Sequence, residues 1–171
     1  MKEELLIEYI RENQKKFYCI AFSYVKSEAA ALDIIQEAVV KALENINSLR
    51  KIEYLRTWFY RILINESINY IRKNKRILLF DNNELIQDLS ISEQSENSMT
   101  ELENQETKKE LFKAMDLLEP KLRTIVILRF YEDLKIKEIA DITKTNENTV
   151  KTRLYKALKI LKLNLEGEIY A

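Results

Sequence analysis

Apolar residues recur along this chain at intervals of three and four, and that spacing predicts helices almost throughout. A first helix is expected over about residues 3–15, with Leu5, Leu6, Tyr9 and Ile10 on its apolar side. A second follows to about residue 25, with Phe17, Ile20, Ala21 and Tyr24 turned inward. Ser27 is placed to cap a third helix that reaches about Ile46. Its expected core stripe is Leu32, Ile35, Val39, Leu43 and Ile46, and its other face carries Asp33, Gln36, Glu37 and Lys41. Residues 47–53 read as a loop. The next helix starts near Tyr54 and runs to about Lys75, with Leu55, Trp58, Phe59 and Ile62 at core spacing. A lone tryptophan in such a stripe is assigned to packing.

From Asp81 to Glu106 the periodicity fades into a stretch rich in Ser, Asn and Glu, which reads as a linker. Helical spacing resumes with Leu111, Met115 and Leu118. Pro120 fits only the first turn of a helix, because its ring excludes a backbone donor and clashes further in. That helix is expected to continue through Ile125, Leu128 and Arg129 to Tyr131. A short helix follows, with Ile136, Ile139 and Ala140 on one face. After a break at Thr143–Thr145, Asn146 caps a last helix whose expected buried stripe is Val150, Leu154, Leu158 and Leu161. Short helix, tight turn and longer helix outline a helix-turn-helix.

Composition narrows this picture. In 171 residues there is one glycine and one proline, which leaves little material for hairpin turns. Apolar residues make up 46%, enough for a core. The fold class is read as all-α: two small helical domains joined by an acidic linker, the C-terminal one a helix-turn-helix. The expected boundaries are 1–76, 77–106 and 107–171. One cysteine and no histidine exclude a structural zinc site and a Ser-His catalytic set. No metal, cofactor or small-molecule substrate is expected, and no enzymatic activity. Cys19 lies in the apolar run FYCIAF and reads as a small buried hydrophobe. With a charged, amphipathic start and no apolar run of spanning length, a soluble, cytoplasmic protein is expected.

Net charge is zero, but it is unevenly spread. Residues 77–107 hold eight acidic side chains and no Lys or Arg. Cations gather just before them, at Arg72, Lys73, Lys75 and Arg76, and again in the last helix. There Lys151, Thr152, Tyr155, Lys156 and Lys159 fall opposite the leucine stripe. Such a face can neutralise phosphates and reach base edges in a major groove. A solvated basic face is the alternative that the pattern leaves open. The helix after Tyr54 mixes cations with aromatic and amide groups at Arg56, Tyr60, Arg61, Asn65, Asn69, Arg72, Lys73 and Arg76. That mixture suits single-stranded DNA, whose bases stack on rings and whose phosphates meet cations.

Three runs carry a family resemblance: Ile127–Leu134, Lys137–Ala140 and Asn148–Leu154. They resemble the C-terminal region of bacterial sigma factors, which reads the promoter −35 element. The resemblance implies that Thr149, Lys151, Thr152, Arg153, Tyr155 and Lys156 face that element. Asp33–Ala38 resembles the segment that docks on the clamp helices of core RNA polymerase, with Asp33, Gln36 and Glu37 as contacts. The stretch from Tyr54 to Arg76 resembles the segment that melts and reads the −10 element. Length and domain content resemble the small extracytoplasmic-function group of the sigma-70 family. The implied function is to direct polymerase to promoters, and the implied partners are core RNA polymerase, promoter DNA and an anti-sigma factor, often membrane-anchored. The rival reading is a dimeric helix-turn-helix regulator binding duplex operators, which leaves Asp33–Glu37 and the Tyr54–Arg76 stretch without a role. The family often has glycine in the turn, where this chain has Lys144, and another before the Thr-Val pair, where it has Asn148. A lysine in a left-handed turn conformation is strained.

Overall fold

A computed structural model describes residues 1–80 and 113–170, with side chains described for 1–75 and 113–163. The described residues are helical, with no strand among them, and they belong to two compact units.

The N-terminal unit is built from α1 (Lys2–Glu12), α2 (Gln14–Val25), α3 (Glu28–Glu44) and α4 (Leu55–Phe80). Two short 3-10 turns, Ile46–Ser48 and Ile52–Tyr54, occupy the connection read as a loop. The Ser27 side chain accepts from the Ala30 N–H at 3.3 Å, which supplies the expected cap of α3. The α2, α3 and α4 helices pack pairwise on one another. At their centre Phe17 meets Phe59 at 4.8 Å between ring centroids and Tyr60 at 5.8 Å, with Tyr9 closing the cluster edge-on. Tilted and edge-to-face rings of this kind add about 0.5–1.5 kcal/mol per pair beyond their burial. Lys2 reaches across from α1 and donates to the Leu49 carbonyl at 2.6 Å, tying down the connection ahead of α4.

Several expectations for this unit are corrected. The core side of α3 is Ala31, Ile34, Ala38 and Ala42, all buried, while Leu32 and Leu43 are exposed and Ile35 and Val39 are half-buried. Alanines occupy this side because small side chains let neighbouring helices approach closely, and the larger apolar residues are displaced to the rim. Leu5 of α1 is likewise exposed, leaving Leu6 as the buried leucine of that turn. Cys19 is half-buried rather than sealed in the core. Helix α4 also runs to Phe80, beyond its expected end near Lys75. The rest of the segment read as an acidic linker, from Asp81 to Glu106, lies outside the described residues, as does Leu111.

The C-terminal unit contains α5 (Pro120–Val126), α6 (Ile136–Thr143) and α7 (Glu147–Tyr170). Pro120 opens α5 as expected. The helix does not continue as regular α structure. Ile127–Tyr131 forms a π turn, in which the Glu132 N–H donates to the Ile127 carbonyl at 3.0 Å. Asp133 then adopts φ 53°, a left-handed conformation that Asp tolerates well. The Arg129 Nη1 donates to the Leu134 carbonyl at 3.0 Å, closing this corner from its side chain. Helix α6 buries Ile139, Ala140 and Ile142 and begins with the Glu138 carboxylate accepting from the Lys135 N–H at 2.9 Å. Both α5 and α6 pack on α7. Met115 and Leu118 are buried as expected. On α7 the buried line is Val150, Ala157 and Leu161, with Leu154 half-buried at its flank. Leu158, expected in the core, is 37% exposed and is replaced there by its small neighbour Ala157.

Candidate nucleic-acid interface

The turn between α6 and α7 sets the aim of the longer helix. Lys144 takes the left-handed conformation at φ 53° and ψ 43°, and its N–H donates to the Ala140 carbonyl. The residue thus does what glycine does at most helix ends, at a cost of about 1 kcal/mol. Two residues later the Asn146 Oδ1 accepts from the Thr149 N–H at 2.7 Å, the expected cap of α7. The Thr143 and Thr145 hydroxyls share a hydrogen bond at 2.9 Å across the turn.

With Val150, Ala157 and Leu161 buried, the opposite side of α7 is exposed: Lys151, Thr152, Tyr155, Lys156 and Lys159. Tyr155 is 72% exposed. The Thr152 hydroxyl donates to the Asn148 carbonyl at 2.9 Å, so it presents its methyl group and a lone pair outward. Thr149 and Arg153 are half-buried. Arg153, Thr149, Thr152 and Lys156 border an open groove with Asn148 of the same helix, and Glu119 and Lys121 line it from outside α7. Lys121 comes from α5, and only the folded unit brings it beside α7.

On α4 the structure separates the eight residues read as a DNA-facing set. Arg61, Asn65, Asn69 and Arg72 recur at intervals of four, four and three, and so share one face. Asn65, Asn69, Arg72 and Lys73 are exposed, and Arg61 is half-buried. Arg56 is exposed but lies one turn before Tyr60, away from that line. Tyr60 is the correction: it is 1% exposed, with its ring edge-on to Phe17. An amphipathic side chain drawn into an aromatic cluster cannot also stack on a base. The Arg76 side chain lies outside the described residues. Trp58, assigned to packing, is only half-buried and precedes Arg61 by three positions, which puts it on the same face.

Asp33, Gln36 and Glu37 of α3 are all exposed, as the sequence predicts. Asp33 and Glu37 are one turn apart, so the three form one polar patch. The patch is bordered by exposed apolar residues, Leu32, Val40 and Leu43. On the same helix Lys41 donates to the Glu66 Oε1 of α4 at 2.5 Å. This hydrogen bond is the largest of several effects that hold the Lys41 amino group above its ordinary value. No group of His, Cys, Asp and Glu able to hold a metal ion occurs among the described residues, and none of their helices is long and apolar enough to cross a membrane.

Two family descriptions match the two units separately. Sigma-70 region 2 matches residues 9–77, and sigma-70 region 4 matches residues 108–161. The chain is 43% identical over 164 residues to the RNA polymerase sigma factor SigV of Bacillus subtilis, spanning 96% of this chain and 93% of that one. This chain belongs to the sigma-70 family of RNA polymerase sigma factors, in its extracytoplasmic-function group. A second relative is the ECF RNA polymerase sigma factor SigW of Bacillus subtilis, 30% identical over 161 residues, 88% of this chain and 83% of that one. The fold is shared with the sigma factor RpoE of Bartonella quintana, solved in complex with the anti-sigma factor NepR. That likeness has a TM-score of 0.73 at 21% identity and covers 93% of this chain and 95% of the other. The sigma factor directs RNA polymerase to promoters, and its family comprises non-catalytic transcription-initiation factors. This does not favour the reading as a dimeric operator-binding regulator.

Proposed function

We propose that this sigma factor divides promoter selection among three surfaces. The Asp33, Gln36 and Glu37 patch of α3 docks on core polymerase, where acid and amide groups on a rigid helix suit a basic partner surface and fix orientation. Arg61, Asn65, Asn69, Arg72 and Lys73 of α4 engage the opened −10 strand, amides meeting base edges and cations the adjacent phosphates. Trp58 offers this face an aromatic surface. Lys151, Thr152, Tyr155 and Lys156 of α7 face the −35 duplex, with Thr149, Arg153 and Lys121 placed along the groove for backbone phosphates.

One observation carries this reading: two compact units in one chain match sigma-70 regions 2 and 4, and each keeps an exposed polar face opposite its core. A regulator that bound only duplex DNA has no need of the exposed line on α4. An anti-sigma factor is the further partner proposed. The support is that the sigma factor RpoE, which shares this fold, was crystallised with one. The deciding experiment is run-off transcription from genomic fragments by core polymerase with and without this protein. Initiation at defined sites only in its presence is expected. Tight sequence-specific operator binding by the free protein, with no such initiation, overturns the reading.

A further inference from the structure

The polymerase-facing and −10-facing surfaces proposed above lie on different helices of the same unit. A side-chain contact between those helices lies close to both surfaces. Lys41 follows Glu37 by four residues on α3, and Glu66 lies between Asn65 and the helix turn that carries Asn69 on α4. The Lys41 Nζ donates to the Glu66 Oε1 at 2.5 Å across the helix pair. The two ends differ in setting: the Lys41 side chain is 42% exposed and that of Glu66 only 11%. The carboxylate is therefore largely removed from water, and Lys41 is the cation placed to satisfy it. Glu37 and Glu44 of α3 add to the negative field around the same amino group.

The core side of α3, formed by Ala31, Ile34, Ala38 and Ala42, carries mostly small side chains, with Ile34 the large one among them. Alanine methyls offer little to interlock, so neighbouring helices can slide past them more easily than past large interdigitated side chains. A directional ion pair at the edge of such a contact supplies a register that the small side chains do not.

We propose that the Lys41–Glu66 pair is a positioning element: it sets the register of α4 on α3, so that a polymerase-bound α3 holds Asn65, Asn69 and Arg72 where the opened −10 strand passes. The pair touches neither polymerase nor DNA itself. It transmits the placement of one surface to the other through two helices that are already packed together. The inference rests on the assignment of those two surfaces.

The test uses reconstituted holoenzyme with the wild-type chain, Lys41→Met, Glu66→Gln and the exchanged double variant Lys41→Glu with Glu66→Lys. Core affinity, thermal unfolding and the rate of −10 opening by permanganate reactivity are measured for each. Both single variants are expected to bind core polymerase as the wild type does and to open promoters about threefold more slowly, the range of one partly exposed ion pair. The exchanged variant is expected to recover most of the rate. A purely stabilising pair lowers the unfolding temperature but leaves the opening rate of folded holoenzyme unchanged, and that result overturns the proposal. Loss of core affinity in Lys41→Met in step with opening overturns it too, because Lys41 is then a polymerase contact. Failure of the exchanged variant to recover any rate, at wild-type thermal stability, overturns it as well, because pairing alone then does not carry the effect. A wild-type holoenzyme that initiates nowhere defeats the functional reading beneath the proposal, whereas active wild type with indistinguishable variants defeats the proposal alone.

Discussion

Arg123 lies buried against the backbone it follows: its Nε donates to the Met115 carbonyl at 3.1 Å, eight residues earlier in the chain. Its Nη2 donates to the Leu118 carbonyl, also at 3.1 Å. One guanidinium thus satisfies carbonyls on either side of the turn that leads into α5. We expect Arg123→Met to destabilise the protein by about 2–3 kcal/mol, because hydrogen bonds from charged donors are worth roughly 1.5–3 kcal/mol and the Leu118 carbonyl loses its guanidinium donor, whereas the Met115 carbonyl keeps the Leu118 N–H at 3.0 Å. Arg123→Lys recovers less than half, since an ammonium lacks the planar fork. Thermal denaturation of the three proteins measures this, and equal melting temperatures would show that water replaces the guanidinium without loss.

Lys144 makes the opposite case, a residue held where its side chain is a disadvantage. Lys144→Asn is expected to stabilise the protein by about 0.5–1 kcal/mol, since Asn adopts the left-handed conformation with less strain. Denaturant titration at unchanged m-value checks it. Lower stability in the variant would mean that the lysine side chain contributes something its backbone conformation does not reveal.

The Lys41–Glu66 pair has a defined pH signature. The Lys41 amino group is raised above its ordinary 10.5, chiefly by the hydrogen bond with Glu66. A raised folded-state value means the folded protein holds the proton more tightly than the unfolded chain. The pair's contribution is therefore complete below 10.5 and is lost as pH rises through the higher folded value. We expect the stability difference between wild type and Lys41→Met to be level from neutral pH to about 10 and to shrink above it. Comparing the two proteins cancels tyrosines such as Tyr18, whose hydroxyl is also raised, first by burial. A difference that stays constant to pH 12 counts against the pair.

On α4, Asn65→Ala is expected to change −10 sequence preference, because an amide reads a base edge, whereas Arg72→Ala slows opening on every promoter. Permanganate footprints over a small promoter panel separate the two. Identical melted regions and rates in both variants remove these residues from the −10 face.

On α7, Lys151→Ala is expected to cost about 1–3 kcal/mol at one −35 position and to relax preference there. Arg153, half-buried beside the groove, is the proposed phosphate contact, so Arg153→Ala is expected to weaken all sequences alike and to lower the salt slope by about one. Transcription from randomised −35 elements reads both at once, and an unchanged preference profile for Lys151→Ala shows that this lysine does not read bases.

The sequence by itself determined where the main helices lie and how several of them begin, because caps are set within a few residues. Ser27 and Asn146 cap the helices that follow them, and Pro120 opens α5, each through contacts inside one turn. It also carried the family, since ordered runs such as Asn148–Leu154 need no structure to be read. What only the tertiary structure decided is the direction each helix faces. Periodicity marks a stripe but ranks its members by apolarity, so it favoured Leu32, Leu43 and Leu158 over Ala31, Ala42 and Ala157. Close helix packing reverses that order, because the buried line must be small where two helices touch. Tyr60 is a large side chain that tertiary packing turned inward, against Phe17, a partner distant in the chain. Lys41 and Glu66, 25 positions apart, and Lys121 beside α7 are likewise juxtapositions between helices. No local pattern encodes them, because they exist only once the helices have packed.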